Sequence, residues 1–420
     1  MRRTALLLAI LVAPLAACFN NGTDRGPRNT AELQAALAGI SAADVHRRIG
    51  VLAHDSMRGR DTPSPELEQV ARWIADEFRR FGLRPGAGNG EWIQHYPYPL
   101  EGLDPYGARF DIASGGTHSL EYGASFYVRP GSGPAAGADD PVTVPVTWMG
   151  DWIRDGADLE GRAALLRLAG TPEDARGGYR FPSETRARVS EAVDAAGQAG
   201  AAAVVFVLES ALTPRQVAAL AETEAAPRRA LGGRAAADPT PPVFFITREA
   251  AHRLFRAGGM DAGEELRRVR VERPAPLDGV SLRLAAPMAR LDDQRAPNVV
   301  GLLPGSDPEL RDTYVVLTAH MDHIGVGAPD ASGDSIYNGA DDDASGTSAL
   351  LEVAEAFAAL GERPRRSLLF VAVSGEEKGL LGSRWFSDHP TVPEDDMVAN
   401  LNMDMVGRNA PDSIVVIGQE

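Results

Sequence analysis

From residue 297 onward, short apolar runs alternate with helical stretches, and this alternation limits the folds open to the chain. The apolar runs lie at 298–303, 314–319, 367–373, 397–403 and 413–417, and the helical stretches lie at 346–360 and 380–388. Strands that alternate with helices are typical of α/β folds, in which helices cover both faces of a sheet. We therefore predict an α/β fold with a mixed, mostly parallel sheet and helices on both of its faces.

An amphipathic helix is also predicted near the N-terminal end, between Ser64 and Gly82. Ser64 is a suitable N-cap, Pro65 suits the first helical position, and Gly82 can end the helix. The apolar residues between them recur at the spacing of one helix face.

Changes in composition divide the chain into domains. The stretch 131–141 is rich in Gly, Ala and Pro, and 142–271 contains apolar runs and helical stretches of its own. We predict a discontinuous domain formed by 31–135 and 280–420. A smaller α/β or β-rich inserted domain is predicted at 136–279.

The first residues resemble an export signal. Residues 1–17 contain two arginines, an apolar run and then small residues, which is the pattern of a secretory signal peptide. Residues 15–18 (LAAC) resemble the lipobox of bacterial lipoproteins, whose cysteine is lipidated. We predict a signal peptide at 1–17, a lipid on Cys18 and a polar tether at 18–30. The protein would then be a cell-envelope lipoprotein held at a membrane by this lipid, on the outer-membrane or periplasmic side; plain secretion is the alternative.

Charge and cysteine content exclude two classes of function. The chain has 42 Lys and Arg against 58 Asp and Glu, so its net charge is −16. Phosphate backbones should repel such a chain, and we expect no nucleic-acid partner. Because Cys18 is the only cysteine, an internal disulfide framework and a cysteine zinc site are both excluded.

Acidic and imidazole side chains cluster where predicted strands end. These residues are His320 and Asp322 after the second strand, Asp341, Asp342 and Asp343 before the first helix, Glu376 and Glu377 after the third strand, and Asp404 after the fourth. Sites in open α/β sheets form at the carboxyl ends of the strands. Imidazole and carboxylate ligands suit a divalent ion such as zinc, and a shared carboxylate can hold two ions. The sequence therefore predicts a metal site at this edge of the sheet.

The motifs that carry these residues resemble the M28 family of zinc exopeptidases. They read AHMDH, NGADDDASG, SGEEKGLLGS and NLNMDMVGR, and the resemblance is close over 296–420 and looser over 40–100. It implies a zinc aminopeptidase of the bacterial type that removes the N-terminal residue of peptide substrates, using a water molecule activated by two zinc ions. Two alternatives stay open: a glutaminyl-cyclase-like or carboxypeptidase-like member of the same fold, and a non-catalytic envelope protein with a decayed metal site.

The resemblance also implies which residues hold the metal. His320 and Asp404 would bind the first zinc ion, Glu377 the second, and Asp341 would bridge the two. A cis peptide bond would join Asp341 to Asp342.

Catalytic roles follow from the same resemblance. Glu376 would be the general base, and Asp322 would orient His320 through the second ring nitrogen. The inserted domain, with DLEGR at 158–162, resembles the protease-associated domain that several peptidases of this family carry.

One ligand that the family uses has no counterpart in this sequence. The family supplies a last histidine to the second ion from a loop beyond the last strand, whereas this chain stops at Glu420. The resemblance therefore implies a truncated form with an incomplete second zinc site. His323 is expected either to brace the loop beside the site or to contact substrate.

Overall fold

The computed structural model describes residues 31–129, 141–175, 178–231, 240–267, 274–408, 410, 413 and 415–417. The signal peptide, the tether and the lipid site Cys18 that the sequence predicts lie outside these residues. The chain divides into two compact units, one formed by Met1–Tyr98 with Gln294–Glu420 and the other by Pro99–Asp293.

The elements follow one another in three stretches. The first stretch contains α1 (Ala31–Gly39), α2 (Ala42–Leu52), a 3₁₀ segment (Asp55–Arg60), α3 (Pro65–Phe81), β1 (Arg84–Pro85) and β2 (Ile93–Pro97). The second contains β3 (Leu100–Leu103), β4 (Arg109–Ala113), β5 (Thr117–Ser119), β6 (Phe126–Arg129), β7 (Val142–Gly150), β8 (Ala163–Leu168), β9 (Glu173–Ala175), β10 (Gly178–Arg180), α4 (Ser183–Gln198), β11 (Ala203–Leu208), α5 (Pro214–Glu224), β12 (Arg228–Arg229), β13 (Val243–Ile246), α6 (Arg248–Ala257), α7 (Ala262–Glu265), β14 (Ala275–Ala285) and β15 (Met288–Arg290). The third contains β16 (Arg295–Leu303), β17 (Tyr314–His320), β18 (Gly325–Val326), β19 (Ile336–Tyr337), α8 (Ala344–Ala358), β20 (Ser367–Val373), α9 (Leu381–Asp388), a 3₁₀ turn (Glu394–Asp396) and β21 (Met397–Asn402).

The first unit is built on a mixed sheet in the order β1-β16-β20-β17-β21, with β2 also paired to β16. The strands β20, β17 and β21 run parallel, and β16 is antiparallel to β20, β1 and β2. The predicted α/β fold class is therefore confirmed, although parallel pairing within this sheet is confined to β20, β17 and β21. The strand predicted at 413–417 is absent at the described residues 413 and 415–417.

Helices cover both faces of this sheet because side chains alternate along each strand. Phe370 of β20 packs in one core with residues of α3 and α8, whereas Val371 packs in another with Phe386 of α9. Helix α3 begins as predicted: the Ser64 side chain accepts a hydrogen bond from the backbone N–H of Leu67 at 3.0 Å. Among the described residues, none of the helices combines the length and the apolar character needed to cross a bilayer.

The second unit has a sheet of its own, in the order β5-β4-β14-β7-β8-β11-β13-β6. Strands β7, β8, β11 and β13 are parallel, and antiparallel strands flank them. This unit, 99–293, is wider than the predicted insert at 136–279. The strands on either side of residues 130–140, β6 and β7, belong to the same sheet, so the change of composition there does not separate two domains.

Candidate metal centre

Three parallel strands bring the candidate residues to one edge of the first sheet. His320 at the end of β17 lies beside Val373 at the end of β20, and Thr318 lies beside Asn402 at the end of β21. The residues that follow these strands therefore leave the sheet at the same edge. The edge is the carboxyl end of the strands, where α/β folds place their sites.

The first group of possible ligands surrounds His320. The Nε2 atom of this buried imidazole lies 3.0 Å from an Oδ1 atom of Asp342 and 3.9 Å from Oδ1 of Asp404. One ligand atom from each of His320, Asp343 and Asp404 also lies within 4.8 Å of the others. An ion held here would have an imidazole and carboxylates as ligands.

Asp343 is the N-cap residue of α8. Its side chain is fully buried, and Oδ1 accepts hydrogen bonds from the backbone N–H of Gly346 at 2.9 Å and of Met405 at 3.1 Å. Oδ2 accepts a third from the N–H of His320 at 3.1 Å. Burial raises the pKa of Asp343 to about 8, although His320 and Met405 both favour its charged form. Asp342 is therefore the freer donor toward a metal.

The second group consists of His323, Asp342 and Glu377, whose ligand atoms lie within 4.8 Å of one another. The Nδ1 atom of His323 approaches Oε1 of Glu377 to 2.6 Å. Asp342 belongs to this group and also contacts His320 of the first group. Its position lets one carboxylate serve two neighbouring ions.

Asp341, which the sequence resemblance makes the bridging ligand, lies outside both groups of the described residues. Its Oδ1 accepts hydrogen bonds from the N–H of Gly407 at 3.0 Å and from Oγ of Ser345 at 3.2 Å, and its Oδ2 pairs with Arg408. The cis peptide bond also lies one position later than expected, between Asp342 and Asp343. Asp342, and not Asp341, therefore lies at the position shared by the two groups, because the side chain of Asp341 contacts 407–408 instead of the sheet edge.

Asp322 lies behind His320, where the sequence predicts an orienting carboxylate. It is fully buried, and its carbonyl oxygen lies 3.2 Å and its Oδ1 3.6 Å from Nδ1 of His320. Oδ1 accepts a hydrogen bond from the N–H of Glu376 at 3.2 Å, and Oδ2 accepts one from Oγ1 of Thr62 at 3.0 Å. Asp322 can therefore fix the ring of His320 and the loop of Glu376 together.

Glu376 belongs to neither ligand group, but charged residues of both groups shift the pKa of its carboxyl. Burial raises the pKa of its carboxyl, and the charges of Glu377, Asp322 and Asp404 raise it further, whereas His320 lowers it. A carboxylate beside a metal site with a raised pKa has the properties of a general base.

His320 is held in an environment that favours positive charge. Burial lowers the pKa of its imidazole, but the hydrogen bond to Asp322 and the charges of Asp343, Asp322 and Asp404 raise it more, to about 9. The same carboxylates that favour an imidazolium would favour a metal cation. The donor set of imidazole and carboxylate oxygen fits zinc.

Arg60 and Thr62 support the site from a distant part of the chain, and sequence reasoning missed both. Thr62 donates its hydroxyl hydrogen to Asp322 and accepts a hydrogen bond from the N–H of Gly375 at 3.1 Å. Arg60 is buried and donates to backbone carbonyls near the ligands. A local sequence feature that could have pointed to these two residues is Gly59, whose φ of 68° lies in the left-handed region that glycine tolerates.

Residues 298–420 match the family model described as Peptidase family M28. Over these residues the chain is similar to that family. The match confirms the resemblance there, while the inserted protease-associated domain, the bacterial type and the truncation stay predictions.

Individual relatives match this chain over limited lengths. A probable zinc metalloprotease of Leptosphaeria maculans is 35% identical over 118 residues, which are 28% of this chain and 26% of that protein. A probable glutamate carboxypeptidase of Arabidopsis thaliana is 38% identical over 111 residues, which are 26% of this chain and 14% of that protein. The chain thus spans about a quarter or less of the length of these curated relatives.

Among solved structures, an aminopeptidase from Aneurinibacillus sp. strain AM-1 is similar with a TM-score of 0.39 and 19% identity. The similarity covers 90% of this chain and 73% of that one.

Proposed function

We propose that the protein is a zinc-dependent exopeptidase, and that it acts as an aminopeptidase. The observation that carries the proposal is the arrangement of two ligand groups around Asp342, with Glu376 beside them and outside both. The match of residues 298–420 to family M28, and the zinc metalloprotease names of relatives, support it.

The ligands divide between two ions. His320 and Asp404 would hold the first ion, Glu377 the second, and Asp342 would contribute to both. Zinc at this position supplies a Lewis acid, which polarises a peptide carbonyl and lowers the pKa of water to about 7.

Glu376 would move the proton in the reaction. Its carboxylate accepts a proton from the attacking water and later delivers it to the nitrogen of the departing peptide. Its raised pKa suits both steps, because the group must hold the proton briefly and then release it. Asp322 keeps Glu376 in place by accepting the hydrogen bond of its backbone N–H.

The charge of the site favours an amino terminus as the group recognised. Glu376 is a carboxylate that the two ions would leave unbound, and a free ammonium group would be attracted to it. A carboxypeptidase-like reaction is the second candidate, which the name of the Arabidopsis relative favours. Hydrolysis of leucine p-nitroanilide, cyclisation of an N-terminal Gln peptide and hydrolysis of a C-terminal Glu dipeptide would separate the candidates.

The variant Glu376→Gln tests the proposal. We expect a loss of about 10²- to 10⁴-fold in turnover of leucine p-nitroanilide, the usual contribution of a general base. Bound zinc should be unchanged, because Glu376 is outside both groups. Glu394→Gln, in an exposed 3₁₀ turn, is the matched control and should keep full activity. A zinc-loaded wild-type chain that hydrolyses none of the three substrates would contradict the proposal and favour a non-catalytic envelope protein.

We further propose that the protein is exported and held in the cell envelope by a lipid on Cys18, and that the predicted insert at 136–279, with DLEGR at 158–162, is a protease-associated unit. The export pattern of residues 1–18 supports the first statement. Cys18→Ala should move the protein from the membrane fraction to the soluble fraction. Retention of the variant in the membrane fraction would contradict the lipid anchor.

A further inference from the structure

We propose that His323 is the third protein ligand of the second zinc ion, together with Asp342 and Glu377. The inference rests on the proposed function and concerns the second of the two ligand groups. It assigns a ligand role to a residue otherwise expected only to brace a loop or to contact substrate.

The strongest observation is a pair of buried atoms that face each other without a hydrogen bond. Nδ1 of His323 and Oε1 of Glu377 are 2.6 Å apart, and neither has a hydrogen-bond partner among the described residues. Their side chains are only 12% and 17% exposed. Buried polar atoms normally make hydrogen bonds, so two that approach within ion-pair distance without one need an explanation. A cation bound by both atoms would satisfy them.

The third member of the group completes the geometry. A carboxylate oxygen of Asp342 lies within 4.8 Å of the ligand atoms of both His323 and Glu377. Three protein ligands with a position left open are typical of catalytic zinc sites. One imidazole and two carboxylates form a ligand set of the kind that zinc accepts.

The fold itself holds the ring of His323 in this position. The backbone N–H of His323 donates to the carbonyl oxygen of Arg60 at 3.2 Å. The ring packs against Gly339, where a Cβ atom would lie 2.5 Å from Cγ of His323. Gly339 has a φ of 59°, a conformation that few other residues adopt. The imidazole is therefore packed against the loop before α8 instead of extending freely into solvent.

Zinc content of the His323→Ala variant tests the inference. We expect the wild-type chain to bind two zinc ions after dialysis, and His323→Ala to bind one. Calorimetric titration should show the affinity for the second ion reduced by more than about 100-fold, since loss of an outer orienting partner costs only about 10- to 100-fold. His389→Ala is the matched control: His389 is exposed, stacks on Trp385, and should keep both ions.

Two further measurements show whether a loss of zinc results from the missing ligand or from misfolding of the variant. His323→Gln, which retains a polar side chain, should lose the same ion, and metal-free unfolding curves should match those of the wild type. Glu377→Gln should weaken the same ion, whereas His320→Ala should weaken the other.

Two results would overturn the inference. They are two ions bound by His323→Ala with a loss of affinity below about 100-fold, and fewer than two ions in the wild type. A wild-type protein that holds two ions through His323 but hydrolyses no peptide would leave this inference standing. The proposed function alone would then fail.

Discussion

The guanidinium of Arg60 donates a hydrogen bond from Nε to the carbonyl oxygen of Met321, 2.9 Å away, across a sequence separation of 261 residues. Its other nitrogens donate to the carbonyl oxygens of Leu52 at 2.7 Å, Asn338 at 2.7 Å and Gly339 at 3.0 Å. One buried side chain thus joins the end of α2 to the residue after His320 and to the loop before α8. Burial lowers the pKa of Arg60 to about 10, and nearby carboxylates oppose this decrease.

Arg60→Met should therefore destabilise the metal-free protein. The variant keeps an apolar stem of similar length but leaves four carbonyl groups without their donor, and each buried unpaired group costs about 1–3 kcal/mol. We expect a loss of about 3 kcal/mol or more in the free energy of unfolding, measured with denaturant. Arg58→Met, at a side chain that is 60% exposed, should change it by less than about 0.5 kcal/mol. Equal stability of the two variants would contradict the role given to Arg60.

Substitutions at the neighbouring aspartates should distinguish the shared ligand. Asp342→Asn should reduce bound zinc and abolish hydrolysis, because Asp342 reaches both ligand groups. Asp341→Asn should retain zinc, since its carboxylate contacts Gly407, Ser345 and Arg408 instead. Zinc content after exhaustive dialysis is the measurement. The reverse pattern would restore the assignment that the sequence resemblance implies.

The run of three aspartates shows where sequence reasoning reaches its limit. A turn that brings acids to a sheet edge can be predicted from its place between a strand and a helix. Which of the three carboxylates faces the edge depends on the path of the backbone through the turn. Asp343 caps α8 and Asp341 contacts 407–408, so Asp342 alone remains to face His320.

The candidate ligands at strand ends were easier to predict from the sequence than the residues that hold them in position. His320, Glu377 and Asp404 follow strands that apolar runs predict, and parallel pairing brings them to one edge. Arg60 and Thr62 act through contacts with residues more than 250 positions away. A single sequence has no local pattern for such contacts, because the partners are backbone carbonyls and a carboxylate in other loops.

A buried ion pair in the first unit should make a large contribution when only one partner is removed. Arg48 is fully buried and pairs with Glu352, which is 4% exposed, and with the more exposed Glu355. Arg48→Met leaves the charge of Glu352 unpaired in the interior, where such a loss costs about 3–5 kcal/mol. The double variant Arg48→Met/Glu352→Leu removes both charges and should recover most of that loss. Denaturant unfolding of the three proteins measures the difference, and a double variant no more stable than Arg48→Met would contradict this account.

The metal-free protein should lose stability as pH rises from about 6.5 to 9. The folded structure raises the pKa of His320 from 6.5 to about 9, since its imidazolium is stabilised by Asp322, Asp343 and Asp404. A raised histidine pKa contributes stability that is fully present below pH 6.5 and is lost as pH passes through the folded value. The contribution is of the order of 3 kcal/mol, at about 1.4 kcal/mol per pKa unit.

Unfolding free energies of wild type and His320→Asn, measured between pH 6 and 9.5 in the presence of chelator, check this prediction. The wild type should fall more steeply with pH than the variant, because the variant lacks the group that releases the proton. Zinc should reverse the trend, since zinc binds the neutral imidazole and its affinity increases as the proton is lost. Parallel pH profiles for the two metal-free proteins would show that His320 is not protonated at neutral pH in the folded state.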